Sequence, residues 1–345
     1  MTSPTPSNQQ KIVKAVIPAA GFGTRMLPIT KALPKEMLPV AGKPLIQYAV
    51  EEAAASGIET VILVVRNHKS LIAAHFAPDP ELESFLVEHH QLATADVVRR
   101  LARFADLQFV KQEKPLGLAH AICCARPFMR EREAFVVLLP DVIMVSDEPV
   151  TRQLMNAHES EGGSVVAIRE VEPRDVERHG IVTIERSPEF SSMKSVRVTG
   201  LVEKPSARNA PSLFGVFGRY LLEPAIWDSI ARTNPDSRGE IQLTDALNIL
   251  CRTEPLCGLR FKAHHYDAGD RLGYLKANIE LSLSDAHLRP SLLEYLAGLQ
   301  SQFGRRYPRP LVEMKNVNTF VRTSWTQVAP VAIIECGESA DLSTA

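Results

Sequence analysis

The sequence predicts an α/β fold, a mostly parallel mixed sheet flanked by helices, and three observations predict it. Short apolar runs of strand length alternate with helix-like segments through the first half of the chain. The first run, Ile12 to Pro18, feeds a turn of small residues, Ala19-Ala20-Gly21-Phe22-Gly23-Thr24-Arg25. Past residue 160 the pattern shifts to strand-like segments with fewer helices between them, as an extension of one sheet would read.

Each element has its own reason. After the first strand, Leu45, Ile46, Ala49, Val50 and Ala53 mark one face of a helix over Leu45–Ser56, and Gly57 stops it. A strand over Thr60–Val65, a helix over Lys69–Phe76 and a longer helical stretch over Glu81–Phe104 follow. Next come a strand over Leu107–Val110, a helix over Leu118–Arg126 and a strand over Phe135–Leu139. This alternation places helices on both faces of a parallel sheet, with ligands at the carboxyl ends of the strands. Ser164–Val171, Gly180–Glu185, Ser195–Glu203 and Leu213–Tyr220 read as the later strands. Helices return over Pro224–Thr233, Leu243–Cys251, Leu272–Leu283 and Pro290–Leu299.

A chain of 345 residues can bury a full core, as one large domain or one with an appendage. Hydrophobic content of 45% and a net charge of −1 describe an ordinary globule without a polyanion-binding surface. Residues 1–10, MTSPTPSNQQ, are polar and proline-broken, the composition of a flexible tail, and lack the pattern of a secretory signal. No apolar run approaches membrane-spanning length. The five cysteines are odd in number and Cys123 and Cys124 are adjacent, which suits reduced thiols and the cytoplasm. His89-His90 and His264-His265 read as surface or packed histidines, since no zinc-ligand spacing is present.

The chemistry concentrates after the first strand. A glycine turn with exposed backbone N–H groups attracts anions, and Arg25, Lys31, Lys35 and Lys43 follow with only Glu36 opposing them. That combination suits a triphosphate. The P-loop string is absent. A dinucleotide fingerprint would need a glycine where Met26 stands, and the second strand runs into Arg66-Asn67 instead of an acid for a ribose. An NAD-type oxidoreductase is thereby set aside.

The longer string KAVIPAAGFGTRMLPITKALPKEMLP, continued by PVAGKPLIQYAVEEAAASGI, resembles the signature of the sugar-1-phosphate nucleotidylyltransferases. Within them it is most similar to the bacterial UTP–glucose-1-phosphate uridylyltransferase subfamily, and the resemblance covers about residues 11–298. It implies a Rossmann-like fold of the nucleotide-diphospho-sugar transferase type. Residues 11–150 would then bind mainly nucleotide and 151–299 mainly sugar phosphate, with 300–345 an extension of unassigned role. A hairpin within 319–335 is expected in that extension.

The resemblance also implies site residues. Ala20, Gly21 and Gly23 would approach the nucleotide, with Arg25 and Lys35 on the triphosphate. Gln112 offers a donor and an acceptor to a pyrimidine edge, and Gly117 lets backbone face the base. Asp141, after the strand FVVLLP, is placed to hold Mg²⁺ with phosphate oxygens. Asp267 is the second metal ligand, with Asp270 as the rival assignment. Glu203 and Lys204 of VEKP would take sugar hydroxyls and the sugar phosphate, while Gly180 and Gly218 leave room for the hexose. Glu240, in GEIQLTDA, reads as structural at a helix start.

The implied reaction joins UTP and α-D-glucose 1-phosphate into UDP-glucose, releasing pyrophosphate, in a homo-oligomer (dimer or tetramer) without nucleic-acid or membrane partners. The nucleophile is an already ionised phosphate oxygen, so no catalytic base is needed, and none is evident. Ala119 and His179 depart from the family pattern and keep another nucleotide, such as dTTP, or another hexose phosphate open. A non-catalytic nucleotide-sugar sensor is the rival from a different class.

Overall fold

Period-two alternation divides the early strands between two cores. In the strand Lys14–Ala19, Ala15, Ile17 and Ala19 belong to one buried cluster and Val16 to another. Val61, Leu63 and Val65 against Ile62 and Val64 repeat the division. A sheet buried on both faces needs such continuous apolar runs.

The computed structural model describes residues 11–66, 69–185 and 193–306. Its strands are β1 (Lys14–Ala19), β2 (Pro39–Val40), β3 (Lys43–Pro44), β4 (Thr60–Val65), β5 (Asp106–Lys111), β6 (Phe135–Leu138) and β7 (Val142–Val145). They continue with β8 (Ser164–Glu170), β9 (Gly180–Ile184), β10 (Ser195–Glu203), β11 (Phe214–Leu222), β12 (Leu256–Arg260) and β13 (His264–Asp267). The α-helices are α1 (Leu45–Ala55), α2 (Lys69–Phe76), α3 (Pro80–Glu88), α4 (Leu92–Leu101) and α5 (Leu118–Cys124). The later ones are α6 (Val150–Glu161), α7 (Ile226–Ala231), α8 (Leu243–Leu250), α9 (Arg271–Ser282) and α10 (Arg289–Arg306).

Nine strands form the main sheet in the order β5-β4-β1-β6-β11-β8-β12-β10-β9. The first four are parallel, with Lys14 opposite Thr60 and Ala15 opposite Val136. Beyond β6 the pairing becomes mixed: β11 is antiparallel to β6 and β8, β12 is parallel to β8, and β10 and β9 finish antiparallel. Helices α1, α2 and α6 cover one face, and α5, α7 and α8 the other. The parallel strands send Gly21 to Arg25, Gln112 and Asp141 out at one edge. A two-stranded ribbon, β7 with β13, stands beside it and pairs Val142 with Asp267.

The expected helical stretch over Glu81–Phe104 is two helices. His90 takes φ 59, and Gln91 N donates to Leu86 O at 2.8 Å, closing α3 in the way a glycine commonly does. The described residues divide into two compact units between Asp285 and Ala286, so the boundary drawn at 299 falls inside the continuous helix α10. The tail 1–10 and the hairpin expected within 319–335 lie outside the described residues. No helix among the described residues is long and apolar enough to cross a membrane.

Candidate active site

The glycine turn is packed tightly on one side and open on the other. Gly23 has φ 61, and a methyl built on it would meet Thr30 Cγ2 at 3.0 Å and Lys35 Cβ at 3.1 Å. A side chain there would be strained and crowded at once. Nothing lies within 4 Å of the corresponding point on Gly21. The turn lines a chamber of about 390 Å³ whose wall includes Ala20, Arg25, Lys35, Gln112, Gly117 and Asp141. Lys31 and Lys43 do not line it; Lys43 Nζ pairs with Glu51 Oε2 at 2.6 Å instead.

Lys35 Nζ donates to Asp141 Oδ2 at 2.6 Å. Burial would raise the Asp141 carboxyl, but Lys35 and Arg25 outweigh it and hold the group below the usual carboxylate range. The acid is therefore charged at neutral pH. Beneath the turn the opposite holds for Glu36, where burial pushes the carboxyl up to about 7. Glu36 Oε2 and Arg66 Nε are buried without hydrogen-bond partners and line one small cavity. Arg66 also lies 4.0 Å over the Phe22 ring at the tip of the turn.

A second chamber of about 540 Å³ shares Arg25, Leu118, Leu139, Asp141 and Glu240 with the first. It holds Gly180, Glu203, Lys204, Gly218 and Asp267. Glu203 accepts from Lys204 Nζ at 2.7 Å and from Thr244 Oγ1 at 2.6 Å. A methyl on Gly180 would fall 2.8 Å from that Thr244 oxygen. Lys204 has φ 43, sparsely populated for a side chain of this kind, and its N–H donates to His179 O at 3.1 Å. The gap at Gly218 is filled by Leu139 and Val142, which approach a built methyl to 3.1 and 3.2 Å. Its small size thus seats the segment carrying Asp141.

Asp141 and Asp267 converge. Ala268 N donates to Asp141 O at 2.8 Å, locking the loop after β13 to the end of β6. A methyl on Gly269 would lie 2.6 Å from Asp267 Oδ1, 3.3 Å from Asp141 Oδ2 and 3.4 Å from an Arg25 guanidinium nitrogen. Two carboxylates and a cation therefore crowd one point that only glycine leaves clear. Asp270 caps α9 by accepting from Gly273 N at 2.9 Å and pairs with Arg178 at 2.7 Å, while Asp267 Oδ1 accepts from Gly269 N at 2.8 Å. Arg178 also reaches Asp267 Oδ2 at 3.3 Å.

The GEIQLTDA string joins the two chambers. Asp236 accepts from Glu240 N, Gln242 Nε2 and Arg238 N at 2.8 to 3.0 Å, which shapes the loop. Ile241 N then donates to Leu116 O, and Ala119 N to Ile241 O. This contact explains Gly117, at φ 94, where a methyl would stand 2.7 Å from Ile241 N and O.

The sequence between Lys14 and Ser282 matches the family model described as nucleotidyl transferase. The chain belongs to that family. As a nucleotidyl transferase it is 44% identical over 288 residues to the UTP--glucose-1-phosphate uridylyltransferase YngB of Bacillus subtilis (strain 168), covering 84% of this chain and 95% of that one. It is 42% identical over 291 residues to UTP--glucose-1-phosphate uridylyltransferase 2 of Staphylococcus saprophyticus, covering 84% and 99%. Among solved structures, a UDP-glucose pyrophosphorylase complexed with UDP-glucose superposes with a TM-score of 0.73 at 33% identity, covering 80% of this chain and all of that one. The UTP-bound UGPase from Acinetobacter baumannii gives 0.76 at 34% identity, covering 84% and 100%.

The two departures from the family pattern sit differently in this nucleotidyl transferase, since His179 lines the second chamber and Ala119 lines neither. Ala119 lies on the buried face of α5 and does not line the first chamber. His179 stacks on Phe217 with ring centroids 4.7 Å apart, and burial lowers its pKa, so the imidazole serves as a flat neutral ring. One device has no motif. Arg219, fully buried, grips Glu52 at 2.7 Å and donates to the carbonyls of Leu139 and Val142, which flank Asp141. Its only sequence signal is a charged pair inside otherwise apolar elements.

Proposed function

We propose that this protein transfers the uridylyl group of UTP to α-D-glucose 1-phosphate, releasing pyrophosphate. The observation that carries the reading is the junction of the two chambers. A nucleotide in the first and a sugar phosphate in the second would bring their phosphates together between Arg25, Asp141 and Asp267. The named activities of the relatives support the choice of UTP and glucose 1-phosphate.

The sugar-phosphate oxygen attacks the α-phosphorus in line with the departing pyrophosphate. The turn's backbone N–H groups, Arg25 and Lys35 hold the triphosphate, and Lys204 holds the incoming phosphate. Gln112 and the Gly117 backbone face the base, and Glu203 faces the hexose. Asp141 and Asp267 are hard oxygen donors of the kind a divalent cation takes, and such a cation would displace the Lys35, Arg178 and Gly269 N–H partners that hold their oxygens. Mg²⁺, which commonly takes one or two protein carboxylates and completes its shell with phosphate and water, would neutralise charge on the reacting phosphates.

The test is pyrophosphate release from UTP and glucose 1-phosphate, with and without Mg²⁺, beside the other nucleoside triphosphates. Failure of the purified protein to form UDP-glucose in any of these mixtures overturns the reading. A cytoplasmic dimer or tetramer, implied by the resemblance, is checked by light scattering and fractionation.

A further inference from the structure

Gln112 is nearly fully buried and lines the first chamber, where the proposed uridylyl transfer would seat the base. Its amide nitrogen donates to Gly117 O at 3.2 Å and approaches His120 Nδ1 at 2.9 Å. A backbone carbonyl can only accept, so the amide cannot be turned with its oxygen toward Gly117. The His120 contact is a hydrogen bond only when Nδ1 is the bare nitrogen and the ring proton sits on Nε2. Both amide hydrogens are then consumed behind the chamber wall. The side-chain oxygen has no protein donor among the described residues and is not among the buried unpartnered atoms. It opens on the chamber.

We infer that His120 is a specificity-determining positioning residue, which with the Gly117 carbonyl locks Gln112 so that the site accepts only a base with a hydrogen-bond donor at N3. Uracil and 5-methyluracil carry N3–H there; cytosine carries a lone pair. Two facing acceptors leave a buried oxygen unpaired, the kind of mismatch that discriminates strongly. The lock is blind to the 5-position, so it separates uridine from cytidine nucleotides but not from their 5-methyl relatives. His120 itself touches no substrate; it acts through Gln112. The inference rests on the proposed uridylyl transfer.

The experiment measures kcat/KM for UTP, 5-methyl-UTP, CTP and N3-methyl-UTP with the unsubstituted protein, His120→Ala and His120→Asn, alongside calorimetric binding of each nucleotide. The unsubstituted protein is expected to use UTP and 5-methyl-UTP and to reject CTP and N3-methyl-UTP. His120→Ala leaves the Gly117 carbonyl as the one acceptor holding the amide, so turning its nitrogen toward the chamber costs one hydrogen bond fewer and the CTP:UTP ratio should rise about tenfold. The 5-methyl-UTP:UTP ratio should stay fixed, and His120→Asn, which restores an acceptor, should recover discrimination. A merely structural role would weaken all the nucleotides together. An unchanged CTP:UTP ratio in His120→Ala overturns the lock. So does ready use of N3-methyl-UTP by the unsubstituted protein, which needs no folded variant. If the unsubstituted protein neither binds nor turns over UTP, the uridylyl-transfer reading fails first and takes the lock with it.

Discussion

Lys35 and Asp141, which stand 106 positions apart in the chain, meet at 2.6 Å across the mouth of the nucleotide chamber. The pair joins the segment after the glycine turn to the carboxylate proposed to face the metal. It also keeps both charges ready: the acid stays ionised because the amine is beside it, and neither side chain is lost to solvent.

Asp141→Asn should keep the fold and lose turnover. Loss of one charged group aimed at the reacting phosphates costs about 2.7–4 kcal/mol of barrier, roughly 10²–10³ in kcat. Freed from its partner, Lys35 should hold metal-free UTP at least as tightly as before. Pyrophosphate release and calorimetry in chelator check the two halves, and full activity in the variant removes the metal assignment.

Glu36 should make stability depend on pH. Its folded pKa is about 7 against an ordinary value of 4.5, so the folded state binds more protons between those limits. Stability is then highest below about pH 4.5 as far as this group is concerned, and falls as pH rises toward 7. The full loss is on the order of 3 kcal/mol and is complete above pH 7. Glu36→Gln carries no charge to bury, so its thermal unfolding should lack that slope and exceed the parent's at pH 8.

Arg219→Met leaves Glu52 buried without its cation, with hydrogen bonds from Thr151 N and Oγ1 remaining. Breaking one side of such a pair destabilises by about 3–5 kcal/mol. Adding Glu52→Leu should recover much of the urea-unfolding midpoint. Turnover should remain depressed in the double variant, because the carbonyls of Leu139 and Val142 have lost the donor that fixes Asp141 between them.

Lys204→Met removes one cation from the second chamber, which Arg25, Arg178 and Arg238 also line, and none from the first. A charge-assisted hydrogen bond is worth about 1.5–3 kcal/mol, so KM for glucose 1-phosphate should rise roughly ten- to a hundredfold. UTP affinity should not change. Equal losses for both substrates would show that the residue supports the fold instead of the phosphate.

The sequence alone determined the local chemistry: the strand entering a glycine turn, the cations behind it, and single acids and glycines at strand ends. These were legible because apolar period, small residues and charge act over a few neighbouring positions. The parallel half of the sheet was legible for the same reason, because short apolar runs alternate there with helix-like segments. Tertiary structure decided which of those residues share a site. Lys43 turned to Glu51, Asp270 capped a helix, and Gly269 proved to be the space between two carboxylates. The break at His90 was not read from the sequence, and Arg219 and Glu52 stood out only as charges inside apolar elements, with nothing to say that they pair. A buried ion pair between positions 52 and 219 depends on partners far apart in the chain, and only folding brings those together.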